Sequence, residues 1–287
     1  MSKRLSHGVN FEWGKKTYVM GIVNVTPDSF SGDGVLDIEE AVKQGVQMEK
    51  DGAGMLDIGG ESTRPGSTPV SQNEELARVV PIITRLAREV HVPISIDTYK
   101  AEVARQAVAA GASIINDVWG GRMEPEILRV AAEAGVPIVL MHNRSQTALV
   151  DGSLTATGGR YVGVEYKDLM GDIKAELREQ IDAALAAGVA KEHVIIDPGI
   201  GFGKTVEQNL ELVNRLGELK KLGYPILVGP SRKSFVGYTL DLPASERLEG
   251  TLAAVALCIQ KGADIVRVHD VKEADRTRKF VDAVVRG

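Results

Sequence analysis

Eight short runs of β-branched and other apolar residues recur along the chain, and each run ends abruptly in a polar segment. They are nearly continuous in apolar character, which is typical of parallel strands buried on both faces. Because every run is polar at the same end, all eight strands would contribute side chains to one surface. The runs predict strands near residues 18–25, 54–60, 93–99, 113–119, 137–143, 193–199, 225–231 and 264–270.

Helical periodicity fills the intervals between these strands. Leu76, Val79, Val80 and Ile83 recur at helical spacing, and Ser71 before them predicts an N-cap. Eight strand–helix units in 287 residues match an α/β fold of the (β/α)₈ TIM-barrel type, in a single domain. The alternative is an open doubly wound sheet. Eight evenly spaced units favour a closed barrel over such a sheet.

The barrel is expected to span residues 18–287. Residues 1–17 would form an N-terminal extension, such as a short hairpin or a plug over the barrel floor. Residues 145–166 contain four glycines and no clean period, and they follow the fifth strand. Long loops without secondary structure are usually functional or disordered, so this segment is either a mobile flap over the site or a disordered insertion.

Composition narrows the class of protein. The net charge is −5 and basic residues do not cluster, so neither nucleic acid nor an anionic membrane is expected as a partner. No apolar stretch approaches the roughly 18 residues that a bilayer-spanning helix needs. The N-terminal residues lack the apolar core of a secretory signal, so we expect a cytoplasmic protein. The single cysteine, Cys258, excludes an internal disulfide and a cysteine-based metal site.

Acceptor groups lie inside three of the apolar runs, at the ends where a barrel builds its active site. Asp97, Asn116 and Asp197 each require partners, because burying an unpaired polar or charged group is costly. One interpretation is an internal network with Lys233 or Arg267. The other, favoured because the three groups come from different strands, is a planar heterocycle with adjacent N–H donors.

A second group of residues predicts an anion site. Arg267 and His269 are two positions apart on one strand and therefore face the same way. Asn24, Ser231 and Arg64 would approach from neighbouring loops, and such donors suit a phosphate or diphosphate. The glycine-rich segments 199–204 and 229–234 do not have phosphate-loop spacing, so their glycines more plausibly let backbone approach a flat ligand.

Several long motifs occur in one order along the chain: MGIVNVTPDSFS, DIGGESTRPG, ISIDTYK, IINDVWG, DPGIGFGK, GPSRKSF and VRVHDV. With them the chain resembles the dihydropteroate synthases, the folate-pathway enzymes that sulfonamide drugs inhibit, from about residue 18 to residue 285. The resemblance implies a (β/α)₈ barrel and a Mg²⁺-assisted transferase. The enzyme would condense 6-hydroxymethyl-7,8-dihydropterin diphosphate with 4-aminobenzoate, giving 7,8-dihydropteroate and diphosphate.

The resemblance also implies residue roles. Asp97, Asn116 and Asp197 would hold the pterin ring edge, and Lys233 would reach both the pterin and the aminobenzoate. Arg267 and His269 would bind the diphosphate, Thr63 would contact the same substrate, and Asn24 would ligate Mg²⁺. Residues implied to line the aminobenzoate pocket are Phe30, Pro65, Phe202 and Ser234.

The implied reaction begins with departure of diphosphate, which leaves a cationic pterin methylene that the amine of aminobenzoate attacks. Asp33 and Arg64 would hold loops 26–34 and 61–69 shut, so the catalytic set is Asp33, Arg64, Lys233 and Arg267. The family usually reads SFSDGG after the first strand, whereas this chain reads SFSGDG, which moves the loop aspartate to Asp33. A homodimer built from the last helices is also implied.

Two other functions remain open at this point. A methyltetrahydrofolate:corrinoid methyltransferase shares a pterin-binding barrel but has no need of a diphosphate site. An inactive pterin- or sulfonamide-binding protein would keep the pocket without turnover. Release of diphosphate that requires both substrates would distinguish the synthase from both.

Overall fold

Eight parallel strands form one sheet in the computed structural model, which describes residues 11–25, 34–62, 69–151, 159–162 and 164–287. The hydrogen-bonded order is β8-β5-β4-β3-β2-β1-β10-β9, and a parallel bridge between Ile196 and Ile226 joins the two ends. The sheet is therefore a nearly closed barrel, and the predicted (β/α)₈ fold is confirmed. Its strands are β1 (Tyr18–Asn24), β2 (Met55–Gly59), β3 (Ile94–Asp97), β4 (Ile114–Asp117), β5 (Ile138–Met141), β8 (Val194–Asp197), β9 (Leu227–Val228) and β10 (Ile265–Val268).

Helices cover the outside of the barrel. Ser71 is the predicted N-cap, and its hydroxyl accepts a hydrogen bond from the amide of Glu74 at 3.3 Å. Thr205 and Gln208 form a capping box at the start of α6. The helices are α1 (Gly34–Lys50), α2 (Gln72–Glu89), α3 (Ala101–Ala110), α4 (Glu126–Ala134), α5 (Leu169–Ala186), α6 (Val206–Arg215), α7 (Ser234–Leu240), α8 (Leu248–Gln260) and α9 (Val271–Val285).

The seventh barrel strand is much shorter than its apolar run. The sequence predicts a strand over 225–231, but only Leu227–Val228 pair as β9. Pro225 and Pro230 have no N–H to donate to a ladder, so they limit the strand from both sides. The residues after β9 are therefore loop, and this loop leads to Lys233.

The barrel interior changes character along its axis. At the amino ends of the strands it is apolar, and Phe11 and Trp13 pack against this lower layer with their ring centroids 4.5 Å apart. Residues 11–17 contain a turn and no strand, so the described part of the N-terminal extension closes the floor by side-chain packing rather than as a hairpin. At the carboxyl ends, inward positions become polar, and this layer carries the candidate site.

The described residues of the segment after β5 include two short strands. Strands β6 (Leu149–Asp151) and β7 (Arg160–Val162) pair antiparallel as a small hairpin, and the Arg160 guanidinium lies 5.0 Å from the ring centroid of Tyr238 in α7. The predicted flap therefore has secondary structure of its own, while residues 152–158 and 163 lie outside the described residues. Within the described ranges, no helix combines the length and apolarity that crossing a membrane requires.

Candidate active site

Side chains from four strands, β2, β3, β4 and β10, form a buried ionic network at the carboxyl end of the barrel. Arg267 on β10 donates from Nε to Asp57 Oδ2 at 2.5 Å and from Nη2 to Asp97 Oδ2 at 2.7 Å. Asn116 on β4 donates from Nδ2 to the same Asp57 oxygen at 3.0 Å. The structure thus brings together three of the predicted site residues, and Arg267 provides the internal partner that one interpretation of the sequence expected.

Asp57 is the centre of this network, although no specific role was predicted for it. Its side chain is fully buried, and its carboxylate can only accept hydrogen bonds when ionised. The group of Asn116 that faces it must therefore be the NH₂, so Asn116 Oδ1 points away and remains available as an acceptor. The pattern at strand ends indicated Asp57 as polar, but its partners depend on residues far away in the chain.

Asp197 is the last residue of β8, and the loop that follows the strand holds its side chain. Its Oδ1 accepts a hydrogen bond from the amide of Gly199 at 2.7 Å. Burial raises the pKa of Asp197 to about 6, while that hydrogen bond and the charges of Lys204, Lys233 and Arg267 oppose the rise. Burial likewise raises the pKa of Asp97, against the opposing charge of Arg267. Both carboxyls are poised to bind N–H donors once ionised.

The loop after β8 meets the loop after β9. The Lys233 ammonium lies 3.9 Å from the centroid of the Phe202 ring, which is a cation–π contact. Gly201 has φ +80, and a Cβ at this position would lie 2.8 Å from Cδ of Lys233. Glycine therefore permits the close approach of the Lys233 side chain, whereas the predicted approach of this loop to a flat ligand stays a prediction. Ser234 begins α7 next to Lys233, so three residues assigned to the two substrates are neighbours.

The predicted anion site also has a defined arrangement. His269 follows β10, its Nδ1 lies 2.9 Å from the Ser231 hydroxyl, and its amide donates to the same hydroxyl at 3.2 Å. Arg267 precedes it on the inward side of the strand. Arg232 is instead directed to Asp270, with contacts of 3.1 and 2.6 Å. Ser231, Arg267 and His269 thus offer donors on one side of the barrel mouth.

A magnesium site would rely on few protein ligands. Asn24 ends β1 and is partly exposed, so its amide oxygen is accessible at the barrel mouth. Across the described ranges, no cluster of three or more His, Cys, Asp or Glu side chains is arranged to hold a metal. This donor set fits Mg²⁺, which commonly uses one or two protein oxygens and completes its shell with water and phosphate oxygens.

Five predicted site residues lie outside the described residues, and their roles stay predictions. They belong to the two loops expected to close the site: Phe30, Asp33, Thr63, Arg64 and Pro65.

One buried residue near the site received no role from its sequence. Lys204, the last residue of GIGFGK, is 2% exposed, and its ammonium donates to the carbonyls of Gly199 at 2.9 Å and Phe202 at 3.1 Å. It also lies 3.1 Å from Nδ1 of His142, at the end of β5. In the sequence this lysine matched only the lysine of a phosphate loop, which the spacing excludes.

Comparisons with known proteins identify the family of the chain. The family model described as pterin binding enzyme matches residues 20–269. A dihydropteroate synthase of Clostridium beijerinckii is 51% identical over 96% of this chain and 97% of its own length. That of Bacillus subtilis is 52% identical over 94% of this chain and 90% of its own length.

Solved structures give the same result. A dihydropteroate synthase from Clostridium difficile, determined in the presence of pteroic acid, superposes with a TM-score of 0.89 at 45% identity and covers 97% of this chain and 100% of its own. The enzyme from Xanthomonas albilineans in complex with 7,8-dihydropteroate has a TM-score of 0.82 at 40% identity, covering 94% of each chain.

Proposed function

The chain belongs to the dihydropteroate synthases, and on that premise we propose how its barrel mouth performs the reaction. It is a transferase that makes 7,8-dihydropteroate from 6-hydroxymethyl-7,8-dihydropterin diphosphate and 4-aminobenzoate. The residue roles, the metal ion and the assembly that follow are proposals, and the observation that carries them is the buried network around Arg267.

The pterin ring binds at the acceptor side of this network. Asp97, Asn116 Oδ1 and Asp197 together present acceptors to the N–H groups along one edge of the heterocycle. The orientation of Asn116 supports this proposal, because Asp57 holds its NH₂ and turns its oxygen away. A site built entirely of acceptors discriminates against rings that lack those donors, since the buried oxygens would then be unpaired.

The diphosphate binds on the donor side, against Arg267, His269 and Ser231. Thr63 is assigned to the same substrate. As the C–O bond to the pterin methylene breaks, its electron pair leaves with the diphosphate, and Arg267 and His269 stabilise the developing negative charge. Mg²⁺, held by Asn24 and diphosphate oxygens, would supply further charge neutralisation when bound. The Asp97 and Asp197 carboxylates stabilise the positive charge left on the pterin.

The aminobenzoate binds on the side of Phe202, Lys233 and Ser234, together with Phe30 and Pro65. Its amine nitrogen attacks the cationic methylene, forms the new C–N bond and then loses a proton. Loops 26–34 and 61–69, with Asp33 and Arg64, exclude water so that the cation reacts with the amine and not with solvent.

We propose that the protein works as a homodimer formed through α8 and α9. Large apolar side chains on these helices are strongly exposed: Leu257 is 48% exposed, Phe280 73% and Val284 69%. An apolar patch of this kind marks an interaction surface, and a self-complementary patch gives a two-fold dimer. We also propose a cytoplasmic location, which the single, reduced and buried Cys258 supports.

The decisive experiment measures diphosphate release in the presence of each substrate alone and of both together. We expect release only with both, and we expect Arg267→Ala to lower kcat/KM by about 2–4 kcal/mol of transition-state stabilisation. Arg129→Ala, which removes a 62% exposed guanidinium from α4, is the matched control and should keep full activity.

Other outcomes would identify the alternatives. Pterin binding without diphosphate release would indicate an inactive binding protein, and methyl transfer without diphosphate release would indicate a corrinoid-dependent methyltransferase. A normal kcat/KM for Arg267→Ala would contradict the anion site.

A further inference from the structure

Lys204 is a buried cation without a directly bonded carboxylate. Its side chain is among the largest that are fully enclosed, and the partners of its ammonium are two backbone carbonyls and one imidazole nitrogen. Burying an ammonium away from water is costly unless its donors are all used. The three N–H groups of the ammonium have three acceptors. Hydrogen bonds, and not a direct ion pair, therefore offset the cost of burying the charge.

That geometry ties both ends of one loop together. The carbonyls of Gly199 and Phe202 lie at the beginning and near the end of the loop after β8, and the Lys204 ammonium bonds to both. The amide of Gly199 in turn holds the Asp197 carboxylate at 2.7 Å. Phe202 lies beneath the ammonium of Lys233 at 3.9 Å. A single buried group thus connects a residue assigned to the pterin with residues assigned to the aminobenzoate.

The loop is also fixed against the end of β5. Gly199 has φ +70, and a Cβ there would lie 1.9 Å from the carbonyl oxygen of His142. Gly203 has φ +59, and a Cβ there would lie 2.4 Å from the carbonyl carbon of Arg144. Because two glycines bring the loop backbone against this strand, the Lys204 ammonium reaches the His142 ring without leaving the loop.

The other nitrogen of the His142 ring lies next to a carboxylate. His142 Nε2 lies 3.2 Å from Oε2 of Glu176, and Arg144 Nε donates to Oε1 of the same residue at 2.8 Å. Burial and the nearby Lys204 lower the pKa of His142 to about 4, so the ring is neutral. A neutral ring that accepts from Lys204 at Nδ1 carries its hydrogen on Nε2, toward Glu176.

We propose that Lys204 is a positioning residue for both substrates, because its ammonium holds residues 197–203 in the shape that places Asp197 at the pterin and Phe202 beneath Lys233. This inference rests on the proposed function, since it uses the substrate assignments of Asp197, Phe202 and Lys233. It adds a residue that contacts neither substrate.

The arrangement has an electrostatic consequence that a purely structural lysine would not have. The cations that act on Asp197 are Lys204, Lys233 and Arg267, and each of them opposes the rise in the pKa of Asp197 that burial causes. Burial lowers the pKa of Lys204 to about 7, with Arg144 and Lys233 acting in the same direction and the charges of Asp197 and Glu176 opposing it. Lys204 is therefore charged below about pH 7. Removing the Lys204 charge should therefore raise the pKa of Asp197 above about 6, and pterin binding should require a higher pH.

The test compares Lys204→Met, which keeps the length and loses the charge, with Lys204→Arg, which keeps the charge. The probe is 6-hydroxymethylpterin, titrated by calorimetry from pH 5 to pH 8, together with the KM for each substrate. We expect Lys204→Met to bind the probe at least tenfold more weakly at pH 6. As the pH falls, the variant should lose affinity at a higher pH than wild type does, because Asp197 would be protonated earlier. Its KM for aminobenzoate should rise as well. Lys221→Met, at an exposed lysine before β9, is the control.

Lys204→Arg separates charge from shape. Below pH 7, where Lys204 of the wild type is charged, it should keep the wild-type pH dependence of probe binding. It should raise both KM values severalfold, because a guanidinium cannot reproduce the three ammonium contacts. The Lys204→Arg variant therefore tests the proposal even if Lys204→Met does not fold. The proposal is overturned if the two KM values of Lys204→Arg are unchanged, or if Lys204→Met weakens binding equally at every pH. A wild-type protein that binds the probe but releases no diphosphate would instead contradict the proposed function, and the binding titrations would still decide the role of Lys204.

Discussion

Replacing Asp57 with leucine should destabilise the protein and weaken pterin binding together. The change removes the acceptor for Arg267 Nε and for Asn116 Nδ2 in a fully buried position. Breaking a buried ion pair by removing one partner costs about 3–5 kcal/mol. Arg267 keeps its contact with Asp97, and its side chain is 20% exposed, so we expect the lower end of that range, about 3 kcal/mol in the free energy of unfolding.

The effect on binding follows from the orientation of Asn116. Without Asp57, its amide group loses the contact that turns Oδ1 outward, and one acceptor for the pterin is no longer held in place. Loss of one oriented hydrogen bond corresponds to about 1–2 kcal/mol, or roughly tenfold in the dissociation constant. Urea denaturation measures the first effect, and calorimetric titration with 6-hydroxymethylpterin measures the second.

Asp57→Asn is the matched control because a carboxamide oxygen in the position of Oδ2 can still accept both hydrogen bonds, although it lacks the negative charge that pairs with Arg267. It should lose about half as much stability as the leucine variant. Unfolding free energy and pterin affinity that both stay at wild-type values in Asp57→Leu would refute the reasoning that Asp57 organises the site.

Three further outcomes follow from buried groups and from the exposed helix face. Burial raises the pKa of Asp197 to about 6. The contribution of Asp197 to the free energy of unfolding is therefore greatest below its unfolded pKa near 4 and is lost as pH rises through about 6. In urea titrations, Asp197→Asn should gain stability relative to wild type over that interval, and calorimetry should show that it binds the pterin more weakly. Burial raises the pKa of the Cys258 thiol to about 12, so mass spectrometry should find no alkylation by iodoacetamide at pH 8 until urea unfolds the chain, and rapid alkylation of the native protein would contradict this. Phe280→Asp should sediment as a monomer if α9 forms the dimer interface, whereas Lys272→Asp on the same helix should sediment like wild type.

The barrel was predictable because its signal is local and repeated. Each buried strand has its own apolar run and each run has the same polar end, so the closed fold follows from one pattern seen eight times. Strand lengths were less predictable, as Pro225 and Pro230 show for β9. The Ser71 cap was predictable because hydroxyl and amide lie three residues apart in the chain.

The partners inside the site were not predictable, because they depend on distant residues. Asn116 and Asp57 are separated by 59 positions, Arg267 and Asp57 by 210, and Lys204 and His142 by 62. Strand-end polarity identifies which residues enter the barrel mouth but not which of them meet. Lys204 was missed for a further reason: nothing in a glycine-rich segment indicates that its lysine points inward, and burial of an ammonium is decided by the acceptors that the fold supplies.

The two interpretations of the acceptor-rich strand ends are compatible with each other. Arg267 pairs with one oxygen of Asp57 and one of Asp97, so both buried carboxylates have an internal cationic partner. Pterin N–H donors can replace the guanidinium on Asp97, and the diphosphate of the same molecule can then engage the freed Nη2, while Nε stays on Asp57. The substrate thus supplies both a donor for the carboxylate and an acceptor for the guanidinium. A molecule with only one of these would leave a buried charge unpaired, which disfavours binding. We propose that the network that stabilises the barrel mouth therefore also selects a heterocycle with a phosphorylated tail.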